Sequence, residues 1–167
     1  MVSAALLLFF PLVMAFAASS DLLTMRISNR LVLLLVVGFF PVALVVGMPF
    51  GEIGLHVLAG LAVLALTFGL FSMGWIGGGD AKLAAATALW LGFSGTAAYL
   101  LYAAVFGGVL TLILLRLRTL PLTPFIARHD WIARLHDRAT GVPYGIALAI
   151  AAMMVYSQTA IFAGLSA

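Results

Sequence analysis

The sequence predicts an all-α integral membrane protein, and its composition and length carry this prediction. Hydrophobic residues make up 65% of the chain and charged residues 8%, whereas soluble domains contain about 45–50% apolar and about 25% charged residues. A transmembrane helix needs about 20 apolar residues, so the 167 residues allow about six helices with short loops. We therefore expect one polytopic domain, residues 1–167, embedded in the lipid bilayer.

Several kinds of chemistry are excluded by the composition. The chain has no cysteine, which removes disulfides, thiolate metal sites and thiol nucleophiles. The pairs His129-Asp130 and His136-Asp137 would lie about 10 Å apart along a helix, too far for one ion. We predict no metal and no cofactor. The net charge of +3 is explained by basic loops that stay in the cytoplasm, so no nucleic-acid partner is predicted.

The first helix is predicted over residues 1–20, which carry no charge. Ala15-Phe16-Ala17 is similar to a signal-peptide cleavage pattern, but no Lys or Arg precedes the apolar run, and Arg26 and Arg30 follow it. This charge order favours a retained helix with its N-terminus outside and its other end in the cytoplasm. Asp21 is then expected where the helix leaves the membrane.

The second and third helices are predicted over residues 31–46, with a kink at Pro41, and 53–72. The third helix returns the chain to the cytoplasmic side. Asp80 therefore emerges at the same membrane depth as Asp21.

The charge-free stretch 83–115 is too long for one ordinary helix and short for two. A single helix would place the basic loop 116–138 outside, against the positive-inside bias. We therefore predict a turn at Gly92-Phe93-Ser94-Gly95. The remaining helices are then 81–91, 96–115 and 143–162, and both termini lie outside.

The long basic loop contains an amphipathic segment that is expected to form a short helix in the lipid headgroups. Its apolar residues are Ile126, Trp131, Ile132 and Leu135, and its polar residues are Arg128, His129, Arg134 and Arg138.

The sequence Gly77-Gly78-Gly79-Asp80-Ala81-Lys82 places an acid directly after three glycines and at the start of an apolar helix. Asp80 should lie in the first helical turn, where the helix dipole favours a carboxylate, and the glycines allow close approach of another chain. Lys82 either extends to the headgroups or contributes to a site. Taken alone, the pattern also fits a simple capping acid after a flexible loop.

Two acids at one membrane depth are more informative than either one alone. An ionisable group at the edge of a bilayer is costly and marks a functional site. Two adjacent carboxylates share a proton, so that one can activate water while the other polarises a peptide carbonyl. Asp21 and Asp80 therefore predict aspartyl protease chemistry. The alternative is a small ion- or proton-coupled transporter that uses the same two acids.

Gly92-Phe93-Ser94-Gly95 also matches the nucleophile motif of rhomboid serine proteases. Those enzymes place their histidine on the last core helix, but residues 143–162 contain none. His56 lies on the same side as Ser94, although packing is its expected role. We interpret this sequence as an inter-helix turn.

Three sequence blocks, taken together, resemble the type IV prepilin peptidases, most closely the short forms that serve Flp-type (Tad) pili. Asp21 with Arg26-Ile27-Ser28-Asn29 is similar to the block around the first catalytic aspartate, although the family often has proline where Ser28 stands. Gly77 to Lys82 is similar to the G-x-G-D-x-K block around the second, and Pro143-Tyr144-Gly145 resembles a third block.

The resemblance implies a membrane aspartyl endopeptidase with Asp21 and Asp80 as catalytic residues. It also implies a bacterial inner-membrane location, with the site near the cytoplasmic face. The expected partners are a prepilin, consisting of a leader followed by an apolar helix, and the pilus assembly machinery. The implied supporting residues are Gly77, Gly79, Lys82, Arg26, Asn29, Pro143, Tyr144 and Gly145.

Departures from related patterns narrow this expectation. The longer family members carry a cysteine-rich module and methylate the new N-terminus, whereas this chain begins at the first helix, so we expect no methyltransferase activity. In presenilin-type proteases a tyrosine precedes the first catalytic aspartate, whereas Ser20 precedes Asp21 here. The sequence therefore fits those proteases less well.

Overall fold

The computed structural model describes residues 2–123 and 128–166, which form α-helices and connecting segments without any strand. The helices are α1 (Val2–Thr24), α2 (Asn29–Val45), α3 (Phe50–Ser72), α4 (Gly78–Leu117), α5 (Asp130–His136), α6 (Tyr144–Tyr156) and α7 (Ala160–Ser166).

The core lies around the first part of α4, residues 78–91. From Leu83 to Leu91 every residue of this arm is buried, so the helix is apolar on all sides. Its alanines allow neighbouring helices to approach closely. Trp90 donates its indole N–H to the Leu35 carbonyl of α2 at 2.9 Å, and its ring lies 5.1 Å from that of Phe10 in α1. Residues 78–91 are therefore the central element of the fold.

Helix α4 reverses direction at Gly92, whose backbone (φ 63°, ψ −178°) is not helical. A straight helix would separate Asp80 from Thr111 by about 46 Å, yet both residues line one cavity. The second arm, residues 93–117, therefore runs back beside the first. The predicted turn is confirmed, although it is made by one residue rather than four.

The all-helical membrane class is confirmed, but six spans are not. Among the described residues, three helical segments are long and apolar enough to cross a bilayer, and α6 with α7 would make a fourth. Helix α2 is apolar but shorter. The three segments are Ala5–Thr24, Phe50–Ser72 and Gly78–Leu117.

The first and last predicted helices differ from those of the structure, whereas the others shift by up to three residues at their ends. Helix α1 continues to Thr24, so Asp21 lies inside its last turns rather than beyond its end, because Leu22 and Leu23 extend the apolar helix. The last predicted helix is broken after Tyr156, and α6 and α7 meet at 60°. At this break the Thr159 hydroxyl accepts the N–H of Phe162 at 3.2 Å, and α7 begins at the next residue.

The short helix predicted within residues 116–138 is present as α5. Ile126, which we assigned to its apolar face, lies outside the described residues.

Gly92 provides a test of the reversal. A Cβ atom at this position would lie 2.8 Å from His56 Nε2, and the positive φ is unfavourable for alanine. Gly92→Ala should therefore lower the stability by about 1–3 kcal/mol, measured as thermal unfolding in detergent. Gly108→Ala is the matched control, because Gly108 lies on the same helix with open space around it, and it should be neutral or slightly stabilising.

Candidate active site

Asp21 is held from the opposite end of the chain. Its side chain is 5% exposed, and its Oδ2 accepts the backbone N–H of Gly145 at 2.7 Å. A Cβ atom at Gly145 would lie 2.8 Å from that oxygen and 3.0 Å from Ile27 Cδ1. Only glycine therefore allows the first turn of α6 to approach the carboxylate this closely.

The turn after Asp21 is fixed by short side chains. Met25 has a left-handed backbone (φ 54°), which ends α1. The hydroxyl of Ser20 donates to the Arg26 carbonyl at 2.9 Å. Ser28 then caps α2 by accepting the N–H of Leu31 at 3.3 Å. The serine that stands where related sequences often have proline thus has a structural role of its own.

Asp80 lies in the first turn of α4, as predicted. Gly77 is the N-cap, and a Cβ atom there would lie 2.8 Å from Asp80 Oδ2. A Cβ atom at Gly79 would lie 3.3 Å from Ile27 Cβ. Because Gly77 and Gly79 have no side chains, the Asp80 carboxylate can lie over the start of α4, and the turn after α1 can pack against that helix start.

Both carboxylates face the same open space. Two cavities, of about 630 Å³ and 510 Å³, share Asp21, Met25, Gly77 and Asp80 in their walls. They therefore meet at the two acids. The larger cavity continues toward Trp75, Thr111, Gly141 and Tyr144, and the smaller one toward Arg26, Ile27, Ser28 and Asn29.

The third sequence block meets the acids at the start of α6. Pro143 is buried and is the N-cap of the helix. Tyr144 lines the larger cavity, and Gly145 binds Asp21.

Lys82, like Pro143 and Gly145, is a supporting residue that lines neither of these cavities. Its Nζ donates to Asn29 Oδ1 at 3.0 Å, and Asn29 belongs to the smaller cavity. Lys82 also borders a separate apolar groove of about 270 Å³, whose other walls come from α2, α3 and α4. The Lys82–Asn29 hydrogen bond therefore marks the boundary between the acidic site and this groove.

Several residues of the site were not predicted from the sequence. Met25, Trp75 and Thr111 line the cavities, and Trp75 could have been noticed as an aromatic residue beside the glycine run. Gly107 supports Tyr144, because a Cβ atom at Gly107 would overlap the tyrosine ring. Nothing in the local sequence indicates this pairing across the hairpin of α4.

His56 is a packing residue, as predicted. Its Nδ1 lies 2.8 Å from the Leu89 carbonyl oxygen, and its ring stacks on Phe39 with 5.4 Å between centroids. The other edge of the ring lies against Gly92. Ser94 is exposed, which is consistent with a residue beside a turn.

Comparison with known proteins identifies the family. The sequence model of the Type IV leader peptidase family matches residues 8–112, which is more than half of the chain and includes both acids. The third block, at residues 143–145, lies outside the matched region. No curated protein matches the chain, and no solved structure does. The extent of the family match shows that this chain belongs to the type IV leader peptidase family.

Proposed function

We propose that the chain is a membrane-embedded aspartyl endopeptidase that removes the leader of prepilins of the Flp type, with Asp21 and Asp80 as its catalytic residues. The single observation that carries this proposal is that both carboxylates line the same two cavities. Family membership supports leader peptidase activity in general. The assignment of the two acids rests on their geometry.

The proposed chemistry needs one proton on the pair of carboxylates. The ionised member takes a proton from water as the water oxygen attacks the scissile carbonyl carbon, and the protonated member donates to the carbonyl oxygen. Collapse of the tetrahedral gem-diol intermediate breaks the C–N bond. The carboxyl that took the proton from water gives it to the leaving amine, and one hydroxyl of the intermediate returns its proton to the other carboxylate as the product carboxyl group forms. The dyad ends the cycle with the one proton it began with.

The cavities indicate a path for the substrate. An extended peptide can cross from the larger cavity to the smaller one over the two acids, and beyond Asn29 it reaches the apolar groove. The groove follows α4 from Lys82 to Leu89, about 10 Å of helix. We assign the groove to the first turns of the pilin's apolar helix and the larger cavity to the leader. The groove adjoins the site at the Lys82–Asn29 pair, where a residue of the groove is hydrogen-bonded to a residue of the smaller cavity, which favours substrate as its occupant.

The proposed orientation follows the distribution of charge. Arg26 and Arg30 follow Asp21 in the sequence, and Arg116 lies in the last turn of α4. The positive-inside bias therefore favours an orientation with the acids near the cytoplasmic face of a bacterial inner membrane. Both termini then lie outside, and the pilus assembly machinery is a further partner on this membrane. The proposal covers cleavage alone and not methylation of the new N-terminus. The transporter alternative is not favoured by the family match.

Asp21→Asn and Asp80→Asn test the catalytic assignment. Each change keeps the size of the side chain and removes the titrating group, so each should reduce cleavage of a purified prepilin at least a thousandfold, on the order of the loss when a catalytic group is removed. Replacing either aspartate by glutamate should also nearly abolish cleavage, because the extra methylene displaces the carboxyl group by about 1 Å, which reduces the rate on the order of a hundredfold. New N-termini are mapped by mass spectrometry. Substantial cleavage by a folded Asn variant would remove that acid from the mechanism, and absence of cleavage by wild type would favour the transporter.

Gly145→Ala tests the support of Asp21. The added methyl group would meet Asp21 and Ile27 within 3.0 Å and displace the carboxylate, so kcat should fall roughly a hundredfold. Gly141→Ala is the matched control, since Gly141 lines the same cavity but has open space where its Cβ would lie. Equal effects of the two changes on kcat would contradict the role of Gly145.

Leu61 and Leu58 test the substrate path. Both lie on α3 and are similarly exposed, at 55% and 54%, but only Leu61 lines the groove. The native chain has no cysteine, so each leucine can be replaced by a single cysteine in the Asp80→Asn background, where the substrate stays uncut. Leu61→Cys should form a disulfide with a cysteine placed early in the prepilin's apolar helix, and Leu58→Cys should not. Equal cross-linking at both positions would rule out the groove.

A further inference from the structure

Arg118 differs from the other arginines near the long loop because its side chain is buried. It is 9% exposed, whereas the neighbouring Arg116 is exposed. Its Nε donates to the Leu135 carbonyl at 2.8 Å. Its Nη2 donates to the carbonyls of Thr140 and Gly141 at 2.9 and 2.8 Å.

These hydrogen bonds connect three parts of the chain. Arg118 follows the last turn of α4, Leu135 lies in α5, and Thr140 and Gly141 precede α6. Burying a charged group is costly unless it is well hydrogen-bonded, and a planar guanidinium can donate to several acceptors in fixed directions. A lysine ammonium lacks this planar fork. The position therefore requires arginine for its geometry, beyond the positive charge that the membrane orientation needs.

The segment held by Arg118 leads directly into the site. Gly141 lines the larger cavity, and the buried Pro143 is the N-cap of α6. Two residues later, the N–H of Gly145 binds Asp21. The proline ring restricts its own φ and the conformation of Val142 before it. A displacement of the Gly141 carbonyl is therefore transmitted to the Gly145 N–H rather than absorbed between them.

We propose that Arg118 is a positioning residue, whose guanidinium fixes residues 140–143 so that the Gly145 N–H stays on the Asp21 carboxylate. Its effect on catalysis rests on the proposed function of Asp21. The effect of Arg118 on the Gly145 amide does not depend on that proposed function. Arg118 touches neither acid itself and acts through the backbone that begins α6.

The test compares Arg118→Lys with Arg116→Lys in the full-length protein in detergent. Arg118→Lys keeps the positive charge but loses the planar guanidinium. The kcat for prepilin cleavage should therefore fall roughly tenfold to a hundredfold, the range expected when a group is misplaced by up to about 1 Å. KM should stay within about twofold, because the substrate cavities are intact. Hydrogen exchange at the Gly145 amide should accelerate, whereas exchange in residues 83–91 should not. Arg116→Lys should match wild type in all three measurements.

Chemical rescue provides a second, independent measurement. In Arg118→Ala, millimolar guanidinium should restore part of the lost kcat and slow the exchange of the Gly145 amide, and methylammonium at the same concentration should do neither. Rescue by both cations to the same extent would show that charge alone matters and would overturn the proposal.

The remaining outcomes are equally decisive. Wild-type kcat together with unchanged Gly145 exchange in Arg118→Lys would overturn the positioning role while leaving the peptidase assignment intact. Faster exchange throughout the helices in both Arg118 variants would also overturn it, because Arg118 would then support the whole fold. If wild type cleaves no prepilin, the proposed function fails, and the Gly145 exchange rates still decide the role of Arg118.

Discussion

The hydrogen bond from the Gly145 N–H to Asp21 Oδ2, 2.7 Å long, connects the end of α1 to the start of α6 and fixes the position of the first acid. It exists only because residue 145 has no side chain, since a Cβ atom would meet both Asp21 and Ile27. Ile27 also packs against Gly79, one residue before Asp80. The same turn after α1 is therefore in contact with the backbone beside each acid, and a change at Gly145 would alter the positions of both acids.

The buried first arm of α4 provides the frame on which these contacts are built. Asp80 begins this arm, and the reversal at Gly92 brings the second arm back so that Gly107 packs against Tyr144. The same reversal carries Arg118 to the end of the fold that holds the two acids, where it holds the segment before α6. A glycine at the far end of the hairpin thus controls which residues surround the site. The site is therefore built from the end of α1, the starts of α4 and α6 and the short segments that connect them.

The sequence predicted the membrane class, the first-turn position of Asp80 and the turn at Gly92, because composition, helix capping and charge asymmetry are local or additive signals. It did not predict that α1 includes Asp21, since the left-handed Met25 that ends the helix carries no sequence signal of its own. The break between α6 and α7 was also missed, because the prediction treated residues 143–162 as one apolar segment, although the polar residues Ser157, Gln158 and Thr159 interrupt it. Arg118 was assigned to membrane orientation alone, since its three carbonyl partners are remote in sequence. The count of six spans and the catalytic roles of Asp21 and Asp80 remain predictions.

The central claim is that the two acids act as one unit, and the Asp21→Asn/Asp80→Asn double variant tests it most directly. Single-turnover cleavage of one prepilin is measured for wild type, both single variants and the double variant, with helical content and thermal unfolding compared to confirm equivalent folding. If one proton is shared by the pair, either substitution removes the function of both, so the double variant should cleave no more slowly than the slower single variant. A double loss equal to the product of the two single losses would show that the acids act independently and would contradict the account.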